Sequence, residues 1–126
     1  IYLGPKRRDE ANAYYKNATA LIVSLKEGGT VGKTIPNKLV TSLYYARPIL
    51  GIIKGDGRKI LEESNGSFLA NEDEESIINA FNSILSLDKE KLDEMGINNK
   101  KYYDSHFDFN SIVDSIESNL ITLKKK

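Results

Sequence analysis

The fold is decided by the stretch Thr34-Ile35-Pro36-Asn37-Lys38-Leu39-Val40-Thr41-Ser42-Leu43-Tyr44-Tyr45-Ala46-Arg47-Pro48-Ile49-Leu50. It predicts a polar loop, a helix that starts at Pro36, and a buried strand that follows at once. The apolar run Ala20-Leu21-Ile22-Val23-Ser24-Leu25 lies just before it and predicts an interior parallel strand. Open α/β sheets bind ligands at the carboxyl ends of such strands, so the loop after this run is predicted to bind an anionic ligand.

Strand-like and helical patterns alternate along the chain. We predict strands at Ile1 to Leu3, Ala20 to Leu25, Pro48 to Ile53 and Ser67 to Ala70, and helices at Asp9 to Lys16, Pro36 to Ala46, Arg58 to Ser64, Glu74 to Leu87, Asp88 to Asp104 and Phe109 to Leu123. The alternation is typical of an α/β fold, a Rossmann-like parallel sheet flanked by helices, here with an all-helical carboxyl-terminal end. The glycines of Gly55-Asp56-Gly57 predict a loop.

Two of the predicted helices carry an apolar stripe. The stripe residues are Ile77, Ile78, Phe81, Ile84 and Leu85 in one helix, and Phe109, Ile112, Val113, Ile116 and Leu120 in the other. Their spacing follows the helical period of 3.6 residues. We expect each stripe to lie against the sheet or a neighbouring domain.

Composition limits what the protein does. The 126 residues predict a single domain over residues 1–126, and the absence of cysteine excludes disulfides and thiolate metal sites. Eighteen basic and eighteen acidic residues cancel, so no nucleic-acid partner is expected. No apolar run approaches the roughly 18 residues of a membrane span, so we expect a soluble domain, and the absence of cysteine fits a reducing cytoplasm. Because Ile1 stands inside a strand-like run, we expect a fragment of a larger protein.

The glycine-containing loop Gly28-Gly29-Thr30-Val31-Gly32-Lys33-Thr34 invites comparison with a phosphate-binding P-loop. The spacing does not fit, because Glu27 stands where the first glycine of that motif is required. Backbone N–H groups at the following helix start, with Lys33 and Lys38, remain able to bind a diphosphate. The alternative is that both lysines are solvated and the glycines only form turns.

Other polar residues are expected to have structural roles. His106 lies between two predicted helices and is expected to cap or pack that corner rather than act in catalysis. The acidic runs 71–75 and 88–90 precede helices, where negative charge complements the helix dipole, so we interpret them as caps and not as metal ligands.

Several motifs together point to a known family. They are Ile1-Tyr2-Leu3-Gly4-Pro5, the segment from Tyr14 to Leu25, Ile35-Pro36-Asn37-Lys38-Leu39, Ala46-Arg47-Pro48-Ile49-Leu50, Phe68-Leu69-Ala70-Asn71 and the segment from Lys101 to Phe107. In order and spacing they resemble the carboxyl-terminal, nucleotide-sugar-binding domain of a GT-B glycosyltransferase, in particular family 4 enzymes of bacterial surface-polysaccharide synthesis. The third and fourth motifs are similar to the Pro-Ser-Lys-Leu and Gly-Lys-Pro-Val elements of one branch. The resemblance covers nearly the whole chain.

The resemblance implies a retaining sugar transferase. The carboxyl edge of the sheet would bind a UDP- or GDP-sugar, whose hexose is transferred to a glycan or a lipid-linked acceptor. Loop and helix start would stabilise the diphosphate leaving group without a bound metal or other cofactor. The donor-binding residues implied are Gly28, Gly29, Lys33, Thr34, Ile35, Pro36, Asn37, Lys38 and Thr41, and no catalytic residue is assigned.

This sequence departs from the family pattern at three positions. Many members have glutamates eight residues apart where this chain has Lys33 and Thr41, and Ala46 replaces the usual glycine. By the same comparison the amino-terminal acceptor domain and the first two strands of this domain are missing, so the fragment alone is expected to be inactive. The full-length protein would be peripheral at the inner membrane face.

The missing strands lead to an expectation about the first residues. We expect the Ile1 segment either to pair beside Ala20 to Leu25 or to be completed by another chain, as in a dimer formed through the incomplete sheet.

A second function class stays open. The alternating pattern also fits a non-catalytic, flavodoxin-like nucleotide-binding or signalling module. A receiver domain would require clustered aspartates at strand ends, whereas Asp56 is a lone loop residue.

Overall fold

A computed structural model describes residues 1–26 and 35–124. The elements in chain order are α1 (Arg8–Asn17), β1 (Leu21–Ser24), α2 (Asn37–Tyr44), β2 (Ile49–Ile52), α3 (Gly55–Ser64), β3 (Ser67–Leu69), α4 (Glu74–Leu85), α5 (Lys89–His106) and α6 (Phe109–Lys124). The predicted α/β class, with a helical carboxyl-terminal end, is confirmed.

The strands form a parallel sheet in the order β1-β2-β3. Leu21 pairs with Ile49, and Ile49 pairs with Ser67, so the strands start in register. A helix connects each strand to the next, and the three carboxyl ends therefore share one edge of the sheet. Central strand β2 is apolar along its length because both of its faces are covered: Ile49 and Leu50 are fully buried.

Helices cover both faces of the sheet. On one face α2 and α3 contribute Leu39, Leu43, Ile60 and Leu61 to a core shared with β1 and β2. On the other face α4 contributes Ala80 and Ile84, which pack with Leu50 and Ala70. The sheet is thus the middle layer of three, as the helical periods in the sequence require.

Helix α5 crosses the amino edge of the sheet and is fixed there by Asn99. This buried amide donates to the carbonyl oxygens of Arg47 and Gly66, both at 2.9 Å, and accepts from the Ser64 hydroxyl at 2.8 Å. A Cβ atom on Gly96 would overlap the carbonyl oxygen of Ala46, so glycine is required for the helix to come this close. Hydrogen bonds and close packing hold this edge together.

The predicted caps are confirmed. The Asp73 carboxylate accepts from the Ser76 N–H at 2.8 Å, and Asp88 accepts from the Lys91 N–H at 2.9 Å, each at the start of a helix. His106 lies at the end of α5, with Nδ1 3.0 Å from the carbonyl oxygen of Tyr102 and its ring stacked on the Tyr102 ring. It packs the corner, as the sequence predicted.

The predicted strand at Ile1 to Leu3 is wrong. These residues form no strand, and Ile1 and Tyr2 have relative exposures of 117% and 90%. Apolar character favours a strand only where another strand completes the hydrogen bonds, and none of the described strands lies next to this segment. The expected pairing beside β1 is therefore also wrong, whereas completion by another chain stays a prediction.

The predicted loop at Gly55 to Gly57 is the first turn of α3, which starts three residues before the predicted Arg58. A Cβ atom on Gly57 would overlap the side chain of Ile53. The glycine therefore serves close packing of the helix against the end of β2, which glycine content alone does not distinguish from a turn.

The prediction for the apolar stripes is only partly correct. In α4, Ile84 is buried but Ile78, Phe81 and Leu85 are exposed, and no residue of α6 is buried. Contact with a neighbouring domain stays a prediction. Across residues 1–26 and 35–124, no helix has the length and apolarity needed to cross a membrane.

Candidate functional site

The carboxyl edge of the sheet contains a cavity of about 300 Å³. Its lining combines the ends of β1 and β2 with the start of α4, through Ser24, Leu25, Lys26, Ile52, Glu72 and Ile77. One lysine and one glutamate provide opposite charges beside an apolar floor. Such a mixture suits a ligand with both anionic and hydroxyl groups.

Helix α2 begins beside this edge. Pro36 is its N-cap residue, and no side chain among the described residues caps it. The first N–H groups of a helix have no partner within the helix, so this end presents backbone donors of the kind that suit an anion. Asn37, Lys38 and Thr41 are exposed, whereas Leu39 is buried. Since residues three and four apart share a helix face, the three polar side chains form one surface.

Helix α3 begins next to α2. Its N-cap residue, Lys54, provides no side-chain cap, and Gly55 has the left-handed φ of 68° that lets the chain turn directly from strand into helix. A Cβ atom on Gly57 would lie 3.5 Å from the Leu39 Cδ2 atom, so the first turns of the two helices are adjacent. Two positive dipole ends therefore lie side by side at the carboxyl edge of the sheet.

The predicted donor-binding residues divide into two groups. Ile35, Pro36, Asn37, Lys38 and Thr41 lie together at the start of α2. The others, Gly28, Gly29, Lys33 and Thr34, lie outside the described residues, and their roles stay predictions.

Sequence reasoning missed two features of this site. The sequence did not predict that α3 starts at its glycines, because glycines are typical of a loop. A glycine directly after a buried strand also permits a helix to start. Glu72 was interpreted only as part of a capping run, yet it lines the cavity. Within the described part of the chain, no group of three or more histidine and carboxylate side chains could hold a metal ion.

Ala46 links the site to the family resemblance. It follows α2 and has a φ of 55°, a left-handed conformation that glycine adopts far more readily than alanine. The resemblance puts a glycine at this position. The backbone turn between α2 and β2 thus has the shape that a glycine would favour.

Comparisons of the chain with protein-family models, with curated proteins and with solved structures find no match.

Proposed function

We propose that this chain is the nucleotide-sugar donor-binding half of a GT-B glycosyltransferase similar to family 4. The observation that carries the proposal is the pair of adjacent helix starts, α2 and α3, at the carboxyl edge of the sheet, where a cavity also lies on the α4 side. Each dipole stabilises an anion by about 0.3–1 kcal/mol, and by up to about 2 kcal/mol where partly buried. Two adjacent helix starts favour a diphosphate over a single charge.

The side chains suggest how the donor would be held. Lys38 would form a charge-assisted hydrogen bond to a phosphate oxygen. Asn37 and Thr41 would hydrogen-bond ribose or sugar hydroxyls. Glu72 accepts hydrogen bonds only, so it suits a sugar hydroxyl and would repel a phosphate. The diphosphate would thus lie over the helix starts and the sugar nearer Glu72.

The sheet order also supports the proposal. In the Rossmann order 3-2-1-4-5-6, the last three strands are neighbours, as β1, β2 and β3 are here. The proposal implies a cytoplasmic enzyme, peripheral at the inner membrane face in the full-length protein, that needs the missing acceptor domain for turnover. The developing diphosphate charge would be stabilised by fixed donors, which is electrostatic catalysis.

An NMR titration of the ¹⁵N-labelled chain with UDP, GDP and flavin mononucleotide tests the proposal. We expect UDP or GDP to shift the amide signals of Asn37, Lys38, Thr41 and the Gly55 to Gly57 turn. Lys38→Ala should weaken this binding about tenfold, equivalent to about 1.4 kcal/mol. Lys101→Ala removes the same charge from the exposed surface of α5 and should leave the affinity unchanged.

Two results would contradict the proposal. Shifts produced by flavin mononucleotide alone would favour the flavodoxin-like alternative. An absence of UDP- or GDP-induced shifts at the starts of α2 and α3 would remove the donor site altogether.

A further inference from the structure

The cavity of about 300 Å³ at the carboxyl edge of the sheet presents three kinds of contact to a ligand. The Glu72 carboxylate accepts hydrogen bonds, and the Lys26 ammonium donates them. Leu25, Ile52 and Ile77 are half-buried and form an apolar wall. A ligand that satisfies all three contacts combines a hydrogen-bond donor, an acceptor and an apolar group within a small space.

The two charges of the cavity favour a neutral group. Within residues 1–26 and 35–124, neither Lys26 nor Glu72 forms an ion pair. An anionic group would be attracted by the lysine and repelled by the glutamate, and a cationic group would meet the reverse. A neutral group that both donates and accepts hydrogen bonds is repelled by neither.

The apolar wall distinguishes between two neutral groups that sugars carry. A hydroxyl group donates and accepts hydrogen bonds, but it has no apolar atoms to cover Leu25, Ile52 and Ile77. An acetamido group has an N–H donor, a carbonyl acceptor and a methyl group. Its methyl removes apolar surface of the wall from water, which is favourable.

We propose, on the basis of the proposed donor site, that the cavity binds the acetamido group of an N-acetylamino sugar. The donor is then a nucleoside diphosphate N-acetylhexosamine and not a plain hexose. The acetamido N–H donates to the Glu72 carboxylate, its carbonyl oxygen accepts from the Lys26 ammonium, and its methyl group packs on the apolar wall.

The cavity is close enough to the helix starts for one ligand to occupy both. Ile52 lines the cavity on the α4 side of the sheet, and α3 begins at Gly55 on the opposite side. These two residues are three positions apart in the chain, a distance of at most about 11 Å. Because the sugar is joined directly to the diphosphate, a donor whose diphosphate lies over the helix starts extends across the carboxyl edge into the cavity.

An NMR titration of the ¹⁵N-labelled chain with UDP-N-acetylglucosamine and with UDP-glucose tests the proposal, because the two ligands differ only in the substituent at C2 of the sugar. We expect UDP-N-acetylglucosamine to bind about tenfold more tightly. It should shift the amide signals of Lys26, Ile52 and Ile77, whereas UDP alone should shift only the helix starts. If GDP and not UDP shifts the helix starts, the GDP-linked pair of sugars replaces the UDP-linked pair.

A matched pair of variants tests the role of Glu72. Glu72→Ala should reduce the preference for the acetamido sugar at least about threefold, because the N–H loses a charged acceptor. Glu75→Ala removes the same charge from the exposed first turn of α4 and should keep the full preference. Circular dichroism checks that both variants fold, as expected for exposed positions.

The possible failures are distinguishable. Equal affinities for the two sugars, with nucleotide-induced shifts at the helix starts, would overturn the acetamido proposal and leave the donor site intact. Cavity shifts that are already complete with the nucleotide alone would put the nucleobase in the cavity and would also overturn it. An absence of shifts at the helix starts with either nucleotide would remove the donor site, and the acetamido proposal with it.

Discussion

At the residue scale, Ala46 is strained by its backbone conformation. Its φ of 55° is left-handed, and an L side chain there costs about 1–2 kcal/mol relative to glycine. The position is fixed because the Ala46 carbonyl oxygen lies directly against Gly96 of α5. The turn therefore cannot relax without moving that helix.

Ala46→Gly should increase the free energy of unfolding by about 0.5–1 kcal/mol, because relief of strain outweighs the greater freedom of glycine in the unfolded chain. Urea denaturation measures the change. Ala11→Gly in α1 is the control and should destabilise by about 1 kcal/mol, since its backbone is helical. Equal destabilisation by both substitutions would show that Ala46 is not strained.

At the scale of elements, Tyr102 connects α5 to α3. Its hydroxyl donates to the Glu63 carboxylate at 2.7 Å. Burial, together with this hydrogen bond and the negative charge of Glu63, raises the pKa of Tyr102 to about 12. The folded state therefore holds the proton more tightly than the unfolded state, in which a tyrosine pKa is about 10. The resulting stabilisation is complete below pH 10 and is lost as the pH rises towards 12.

Tyr102→Phe should lower the free energy of unfolding, and the difference from the unmodified protein should shrink as the pH rises from about 10 to 12. Denaturation at a series of pH values measures it. Tyr14→Phe serves as the control because Tyr14 is 53% exposed, and its effect should be small throughout. A difference for Tyr102→Phe that grows above pH 10 would contradict the raised pKa.

The elements also show what local patterns predict well. Strands β1 and β2 and helices α4 and α5 were found within about two residues of their predicted ends, because apolar periodicity and acidic caps define them. The start of α3 was missed because Gly57 packs closely against Ile53, and glycine content alone does not distinguish such a packing contact from a turn. At the candidate site, Pro36 in the sequence predicted the exposed start of α2. The place of the α3 start beside it depends on how the two helices pack, which local sequence patterns do not show.

At the scale of the whole molecule, Asn99 connects segments that are far apart in sequence. Asn99→Ala would leave the Arg47 and Gly66 carbonyls and the Ser64 hydroxyl without this partner. We expect a loss of about 2–4 kcal/mol in the free energy of unfolding, measured by urea denaturation.

Asn98→Ala is the matched control for Asn99→Ala. Asn98 also donates to a backbone carbonyl, that of Asn65, but it is only half-buried, so its replacement should cost less than about 1 kcal/mol. Equal losses of unfolding free energy for the two variants would show that the burial of Asn99 adds nothing to stability.

Contacts between segments that are far apart in the chain were the part of the fold that the sequence predicted least well. The Ile1 to Leu3 run has strand-like composition but no described strand beside it, and the role of Asn99 could not be inferred from one buried polar residue in a helical pattern. The parallel order of β1 to β3 was predictable, because each strand-to-strand connection contains a helix.

Because α5 covers the amino edge of the sheet, the two ends of the strands tolerate substitutions differently. Asn99 and Gly96 fix one end of the strands, whereas Asn37, Lys38 and Thr41 are exposed near the other end. Strands of four residues hold the two ends about 13 Å apart. Substitutions in this exposed surface can therefore be made with little loss of folding stability, which makes the surface suitable for redesign.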